Sequence, residues 1–262
     1  MKCLVAVIGP TAAGKSQLAL HLAQDFDGEI LNADSRQVYR YMDIGTAKPS
    51  RAELSLIRHH LVDLIDPDES FSLAVYQKLA FKIIEDIQRR DSLPLLVGGS
   101  GLYVWSVIEG WKIPSVPPNP ELRRGLEKKA KEKGSYALFQ KLQKVDPVAA
   151  TMIMRSNLRR IIRVLEIYQE TGRPVSELWQ KQPPPYPVLI IGLTMQRDNL
   201  YSRVDSRVDE MIKDGLVDEV KDLMAKGYSL DLPSMSGIGY KQIAMFIRGD
   251  IDLSTAVEQI KR

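Results

Sequence analysis

Cys3-Leu4-Val5-Ala6-Val7-Ile8-Gly9-Pro10-Thr11-Ala12-Ala13-Gly14-Lys15-Ser16 is the stretch on which the fold turns. Its first six residues form a continuous apolar, partly β-branched run, the pattern of a strand buried on both faces of a parallel sheet. The next eight satisfy G-x-x-x-x-G-K-[ST], where glycines let backbone N–H groups wrap phosphate oxygens. Lys15 adds a point charge and Ser16 a hydroxyl suited to magnesium. Residues 15–24 continue at helical spacing, so the loop joins a strand to a helix, the context a phosphate loop needs. Gly9, Pro10, Thr11, Ala12, Ala13, Gly14, Lys15 and Ser16 are therefore expected to grip a diphosphate or triphosphate.

Outward from this loop the pattern repeats. Residues 29–33 read as a second strand ending at Asp34, and residues 93–97 as a third ending in Gly98-Gly99-Ser100-Gly101. Between them, residues 73–90 carry apolar positions at helical spacing. Strands alternating with helices predict an α/β fold, a doubly wound parallel sheet with a P-loop. After Trp111 the texture changes: Pro114, Pro117, Pro118 and Pro120 break structure, and a helical, basic, strand-free stretch runs to Lys181. Pro183-Pro184-Pro185-Tyr186-Pro187 closes it, residues 188–193 again read as a buried strand, and helices follow over 200–213 and 216–226, with Gly215 and Gly227 as caps. The expected division is a core in two parts, 1–112 and 188–262, around an inserted all-helical domain at 113–187.

The net charge of +3 is unevenly spread. Residues 121–181 hold 14 Lys and Arg against 7 Asp and Glu, a net of +7, which leaves −4 for the remainder. Such a segment is either a solvated helical surface or a face for a polyanion. A single cysteine, Cys3, excludes an internal disulfide and a Cys-based zinc site, and fits a reducing compartment. No apolar run reaches the roughly 20 residues of a membrane helix. The chain reads as soluble and cytoplasmic.

A phosphate loop alone favours an ATP or GTP enzyme, so a small-molecule kinase is the first reading to displace. Asp34 stands at the carboxyl end of the second strand, the edge where such sheets bind ligands; on the residues alone it is a magnesium ligand, a general base or a helix N-cap. Arg203 and Arg207 are four apart on one helical face, near Arg197, and either clamp a leaving phosphate or form a solvated basic face. In the insert, Arg159, Arg160 and Arg163 lie within about one helical turn, the best place for contacts to a phosphate backbone. Adjacent His59 and His60 diverge on any regular element, so local hydrogen bonding is expected of them rather than a shared metal.

Together these blocks resemble the tRNA dimethylallyltransferases. The likeness is carried by 9–16, by Asn32-Ala33-Asp34-Ser35-Arg36-Gln37-Val38-Tyr39 continuing to Asp43-Ile44-Gly45-Thr46-Ala47-Lys48-Pro49, by His59-His60-Leu61, 97–103 and 159–166, and by Ser236-Gly237-Ile238-Gly239-Tyr240-Lys241. It implies transfer of a dimethylallyl group from dimethylallyl diphosphate to N6 of the adenosine on the 3′ side of certain anticodons, with diphosphate leaving. The phosphate loop would then hold the prenyl diphosphate, with Mg2+ on Ser16. Asp34 matches the family's general base, and Thr11 a position near the diphosphate and the reacting centre; under this reaction Lys15 and Arg207 are expected to be catalytic, with Arg203 at the diphosphate. Asp34, Ser35, Arg36, Gln37, Ser100, Arg123, Arg159, Arg160, Ile161, Ile162 and Arg163 match positions that contact tRNA. The partner implied is the anticodon stem-loop, and a monomer is expected. Family members continue past 262 with a basic, aromatic stretch, and weaker tRNA binding is expected of residues 1–262 alone. The alternatives are an adenylate isopentenyltransferase, against which the basic insert argues, an ATP-dependent kinase, and a nucleotide-binding RNA module without activity, which leaves Asp34 unexplained.

Overall fold

The computed structural model describes residues 3–262. Its first part runs β1 (Leu4–Ile8), α1 (Lys15–Asp25), β2 (Gly28–Asn32), α2 (Arg51–Leu56), β3 (His59–His60), α3 (Leu73–Arg89), β4 (Leu93–Val97) and α4 (Gly101–Ile108). Five helices follow: α5 (Pro120–Lys133), α6 (Ser135–Val145), α7 (Pro147–Met152), α8 (Leu158–Thr171) and α9 (Val175–Leu178). The chain then forms β5 (Val188–Gly192), α10 (Arg197–Lys213), α11 (Leu216–Ala225), a 3-10 turn at Ser234–Ser236, α12 (Tyr240–Arg248) and α13 (Leu253–Lys261). Two compact units result. One joins residues up to Ile108 with Pro184–Arg262, and the other is Glu109–Pro183.

In the first unit every strand pairs in parallel, in the order β3-β2-β4-β1-β5. Side chains alternate across a strand, and the two faces of the sheet build separate cores. Leu4, Ala6, Leu31 and Leu96 face Tyr76, Ala80, Ile84 and Ile87, which repeat at helical spacing on α3, together with Val104 and Val107 of α4. Val5, Val7, Ile30, Leu95 and Val97 face Ala19 and Ala23 of α1. Chain connections leave β1 toward β2 and leave β4 toward β5, so the strand order reverses between β1 and β4. The crevice outside the carboxyl ends of that pair is where this topology binds ligands.

Three expectations shift. The short strand β3, two residues of adjacent histidine, pairs with Ile30 and Leu31 of β2 and carries no apolar run to announce it. Helix α10 begins at Arg197, three residues before the apolar periodicity becomes visible. The run at 188–193 is a strand but not a buried one: β5 is the edge of the sheet, and Leu189 is 58% and Ile190 41% exposed.

The second unit packs its five helices around Leu126, Leu138, Leu142, Ile161, Leu165 and Val175. Helix α8 is built by sequence at both ends. The Asn157 side chain accepts from the Arg160 N–H, and Gly172 closes the helix in the left-handed conformation. At the neck of the unit Trp111 bridges Lys181 antiparallel, a small exception to a strand-free insert.

Candidate active site

The loop after β1 needs glycine at Gly9, because φ is +148° and a Cβ there would stand 2.6 Å from the Leu193 carbonyl oxygen. Lys15 opens α1 and folds back, its Nζ donating to the carbonyls of Gly9 (3.0 Å) and Pro10 (2.7 Å). Arg203 Nη1 donates to the Ala12 carbonyl at 3.4 Å. Helix α10 thus brings one arginine to the outer side of the loop, and its next turn carries Arg207 to the inner side.

There a cavity of about 300 Å³ is lined by Thr11, Lys15 and Ser16 of the loop, by Asp34 and Gln37 after β2, by Gly98 and Gly99 after β4, and by Arg207. Residues on four separated segments therefore face one space. Burial, and then the Arg207 cation, lower the Lys15 ammonium from its ordinary value, while the Asp34 carboxylate opposes them. Burial likewise lowers the Arg207 guanidinium, and Asp34 again opposes it. Lys15 and Arg207 against Asp34 leave the loop end of the cavity with a positive bias, suited to a diphosphate.

The Asp34 loop is held from several directions. Asp34 Oδ1 accepts from the Arg36 N–H at 2.8 Å, and Asn32 Oδ1 accepts from the Asp34 N–H at 2.8 Å. Ser100 Oγ accepts from the Ser35 N–H at 2.9 Å. Gly98 lies against this loop so closely that a Cβ would sit 2.3 Å from the Ala33 carbonyl, backbone against backbone. Asp34 is therefore an Asx-type turn residue, yet it also lines the cavity: the N-cap reading does not exhaust it.

Several arginines have other work than the sequence alone suggests. Arg36 donates to the carbonyls of Pro233 (2.9 Å) and Ser234 (3.2 Å) and to Ser236 Oγ (3.2 Å). In the helical unit, Arg123 Nε and Nη2 reach the two carboxylate oxygens of Glu166 at 2.8 and 2.7 Å. Arg163 Nη1 donates to Glu166 Oε2 at 2.5 Å and its Nη2 to the Val116 carbonyl at 2.8 Å. Glu166 itself is fully buried. Arg159 and Arg160 point outward and are exposed. Ile161 and Ile162, expected among RNA contacts, are 0% and 5% exposed, and their side chains fill the core of the helical unit.

The cavity also contains residues to which sequence reasoning gave no role. Thr46, Ala47, Lys48 and Pro49 form one wall. His59 lines the cavity too. Its Nδ1 is 2.8 Å from the Ile57 carbonyl oxygen, and burial lowers it from the ordinary histidine value, so it is neutral at pH 7. The adjacent His60 points elsewhere, its Nε2 2.6 Å from Glu29 Oε2, as expected of diverging neighbours. Among the described residues no group of three or more His, Cys, Asp or Glu could hold a metal, and no helix is long and apolar enough to cross a membrane.

A strand running into a phosphate loop at the switch point of a parallel sheet, facing a carboxylate and two cations across one cavity, defines a P-loop α/β enzyme. Which one is shown by its relatives. A family model described as IPP transferase matches residues 37–262, and the chain belongs to that family. The match begins after the phosphate loop, and whole-chain likenesses extend it. The tRNA dimethylallyltransferase of Roseiflexus castenholzii is 53% identical over 258 residues, covering 98% of this chain and 84% of that protein. Its counterpart in Chloroflexus aggregans is 51% identical over 261 residues, covering 100% and 88%. Among solved structures, the full-length tRNA isopentenylpyrophosphate transferase of Bacillus halodurans is 44% identical with a TM-score of 0.72, over 100% of this chain and 82% of that one. A eukaryotic dimethylallyltransferase acting on tRNA is 29% identical with a TM-score of 0.83, over 100% and 66%.

Proposed function

We propose that this chain transfers a dimethylallyl group from dimethylallyl diphosphate to N6 of the adenosine next to the anticodon on its 3′ side, releasing diphosphate. The observation that carries the reading is the meeting of Lys15, Arg207 and Asp34 on a single cavity. The phosphate loop holds the diphosphate. N6 attacks the first carbon of the prenyl group, the carbon–oxygen bond breaks, and its electron pair leaves on the diphosphate. Lys15, Arg203, Arg207 and the backbone N–H groups of residues 9–16 stabilise that charge as it develops. An aromatic amine is a weak nucleophile, and Asp34 takes its proton as the new bond forms. Thr11, in the loop and on the cavity wall, stands beside the diphosphate and the reacting centre.

A magnesium ion fits this donor set. Among the described residues the Ser16 hydroxyl makes no side-chain hydrogen bond; it faces the cavity and would hold the ion together with substrate phosphates, as Mg2+ prefers. When bound it would supply further positive charge against the departing diphosphate. The target adenine must leave the loop stack to reach Asp34. Ser35, Arg36, Gln37 and Ser100 frame its entry, and Arg159 and Arg160 on the basic helical unit take the phosphate backbone of the anticodon stem. Arg123 and Arg163 act there chiefly by holding Glu166. The proposal includes a cytoplasmic enzyme working as a monomer on one tRNA.

The test is incubation with magnesium, labelled dimethylallyl diphosphate, and either unmodified tRNA or AMP. Label in tRNA and not in AMP is the expected result; ATP turnover without label transfer would sink it. In the same assay Arg159→Ala with Arg160→Ala should raise the KM for tRNA and reduce the steepness of its salt dependence by about 2 in log–log slope, one for each lost phosphate contact. An unchanged slope would show that these arginines meet only solvent.

A further inference from the structure

Glu219, in the first turn of α11, has no place in the chemistry above, yet its carboxylate is fully used. Oε2 accepts from the N–H groups of Asp43 (2.8 Å) and Ile44 (2.7 Å), and Oε1 from the Gly45 N–H (3.2 Å) and the Tyr240 hydroxyl (2.5 Å). Tyr240, the first residue of α12, is 1% exposed. Gly45 packs against its ring, where a Cβ would stand 2.5 Å from Cε2. The loop held in this way carries the next link. Gln37 Nε2 donates to the carbonyls of Thr46 (3.1 Å) and Ala47 (2.9 Å), and all three residues line the cavity with Asp34. The same Pro233-to-Tyr240 segment receives Arg36, so it braces both loops that frame the cavity.

We propose that Glu219, with Tyr240, is a positioning residue for the transfer reaction, fixing the 43–48 loop and through it the Gln37 amide at the tRNA side of the cavity. The inference rests on the reading of this cavity as the transfer site. A carboxylate offers lone pairs to three backbone donors and a phenol at once; an amide turns its NH2 toward one side of that set, where the phenol can reverse to accept but a backbone N–H cannot. The phosphate loop makes no contact in this chain of bonds, so donor binding should be indifferent to it.

The experiment is steady-state kinetics on the full chain, normalised to active sites by single-turnover bursts. Glu219→Gln should raise the KM for tRNA about tenfold, the equivalent of one or two lost hydrogen bonds, and leave the KM for dimethylallyl diphosphate unchanged. Tyr240→Phe, which removes one donor of four, should raise it less and keeps the test available if Glu219→Gln does not fold. Gln37→Ala should raise the same KM, and combining it with Glu219→Gln should add little, because both act through one amide. A purely structural role would lower the active fraction and leave both KM values at the parent's. If the parent transfers label and the variants keep its KM for tRNA, this inference alone is overturned; a parent that transfers none overturns the reading beneath it as well.

Discussion

Asp34→Asn should slow the transfer step by about 10²- to 10⁴-fold, the range a positioned general base supplies. The substitution is chosen because it changes little else. Asparagine keeps the Oδ1 acceptor that the Arg36 N–H uses at 2.8 Å, and the adjoining contacts of Asn32 and Ser100 run to backbone groups that remain. The loop should therefore hold its shape while losing the group that accepts the N6 proton. Binding of dimethylallyl diphosphate should persist, since Lys15 and the backbone of residues 9–16 are untouched. Stopped-flow or quench measurements of a single turnover, with donor affinity measured by calorimetry, separate the two. A rate within about threefold of the parent would remove Asp34 from the chemistry and return it to its turn.

Glu166→Ala should destabilise the helical unit by about 3 kcal/mol, toward the lower end for breaking a buried ion pair, because Arg123 and Arg163 are part-exposed and can turn to water. Burial by itself pushes the Glu166 carboxyl up; Arg123, the Asn119 N–H and Arg163 outweigh it and hold it at about 2. The native value thus lies below the unfolded one of about 4.3. Stability from this group is complete above the unfolded value and is lost as pH falls through it toward about 2. Hydrogen exchange of the α8 amides reports the local free energy. Protection should fall between about pH 4.5 and 2 in the parent, and Glu166→Gln should remove that acid dependence. An α8 with the same acid profile in both would assign the loss to other carboxylates.

How much of this was legible in advance depends on distance along the chain. The phosphate loop and strands β1, β2 and β4 announce themselves because apolar runs, glycine spacing and helical periodicity are local. Asp34 was legible as a residue at a strand end, though not as both turn and cavity wall. Strand β3 was hidden because its two histidines carry no apolar run, although they pair with Ile30 and Leu31 of β2. Strand β5 misled because an edge strand can be as apolar as a central one. The basic insert shows the limit of charge counting: Arg163 and Glu166 are three apart on α8, a spacing that signals a pair, but Arg123 reaches the same carboxylate from 43 residues away. Nothing local ties Glu219 to the Asp43 N–H, 176 positions earlier. Ile161 and Ile162 lay inside a block matched as a whole, and the alternation of that block already placed apolar residues on the opposite face from Arg159 and Arg163.

The central claim is that the phosphate loop holds a prenyl diphosphate whose carbon passes to RNA across the cavity it shares with Asp34. Its most direct test is to digest the tRNA after reaction, identify the modified nucleoside by mass spectrometry, and count the diphosphate released. The account requires one N6-prenylated adenosine per tRNA, adjacent to the anticodon, with one diphosphate for each. Diphosphate or phosphate released from a nucleoside triphosphate, with the adenosine left unmodified, would contradict it.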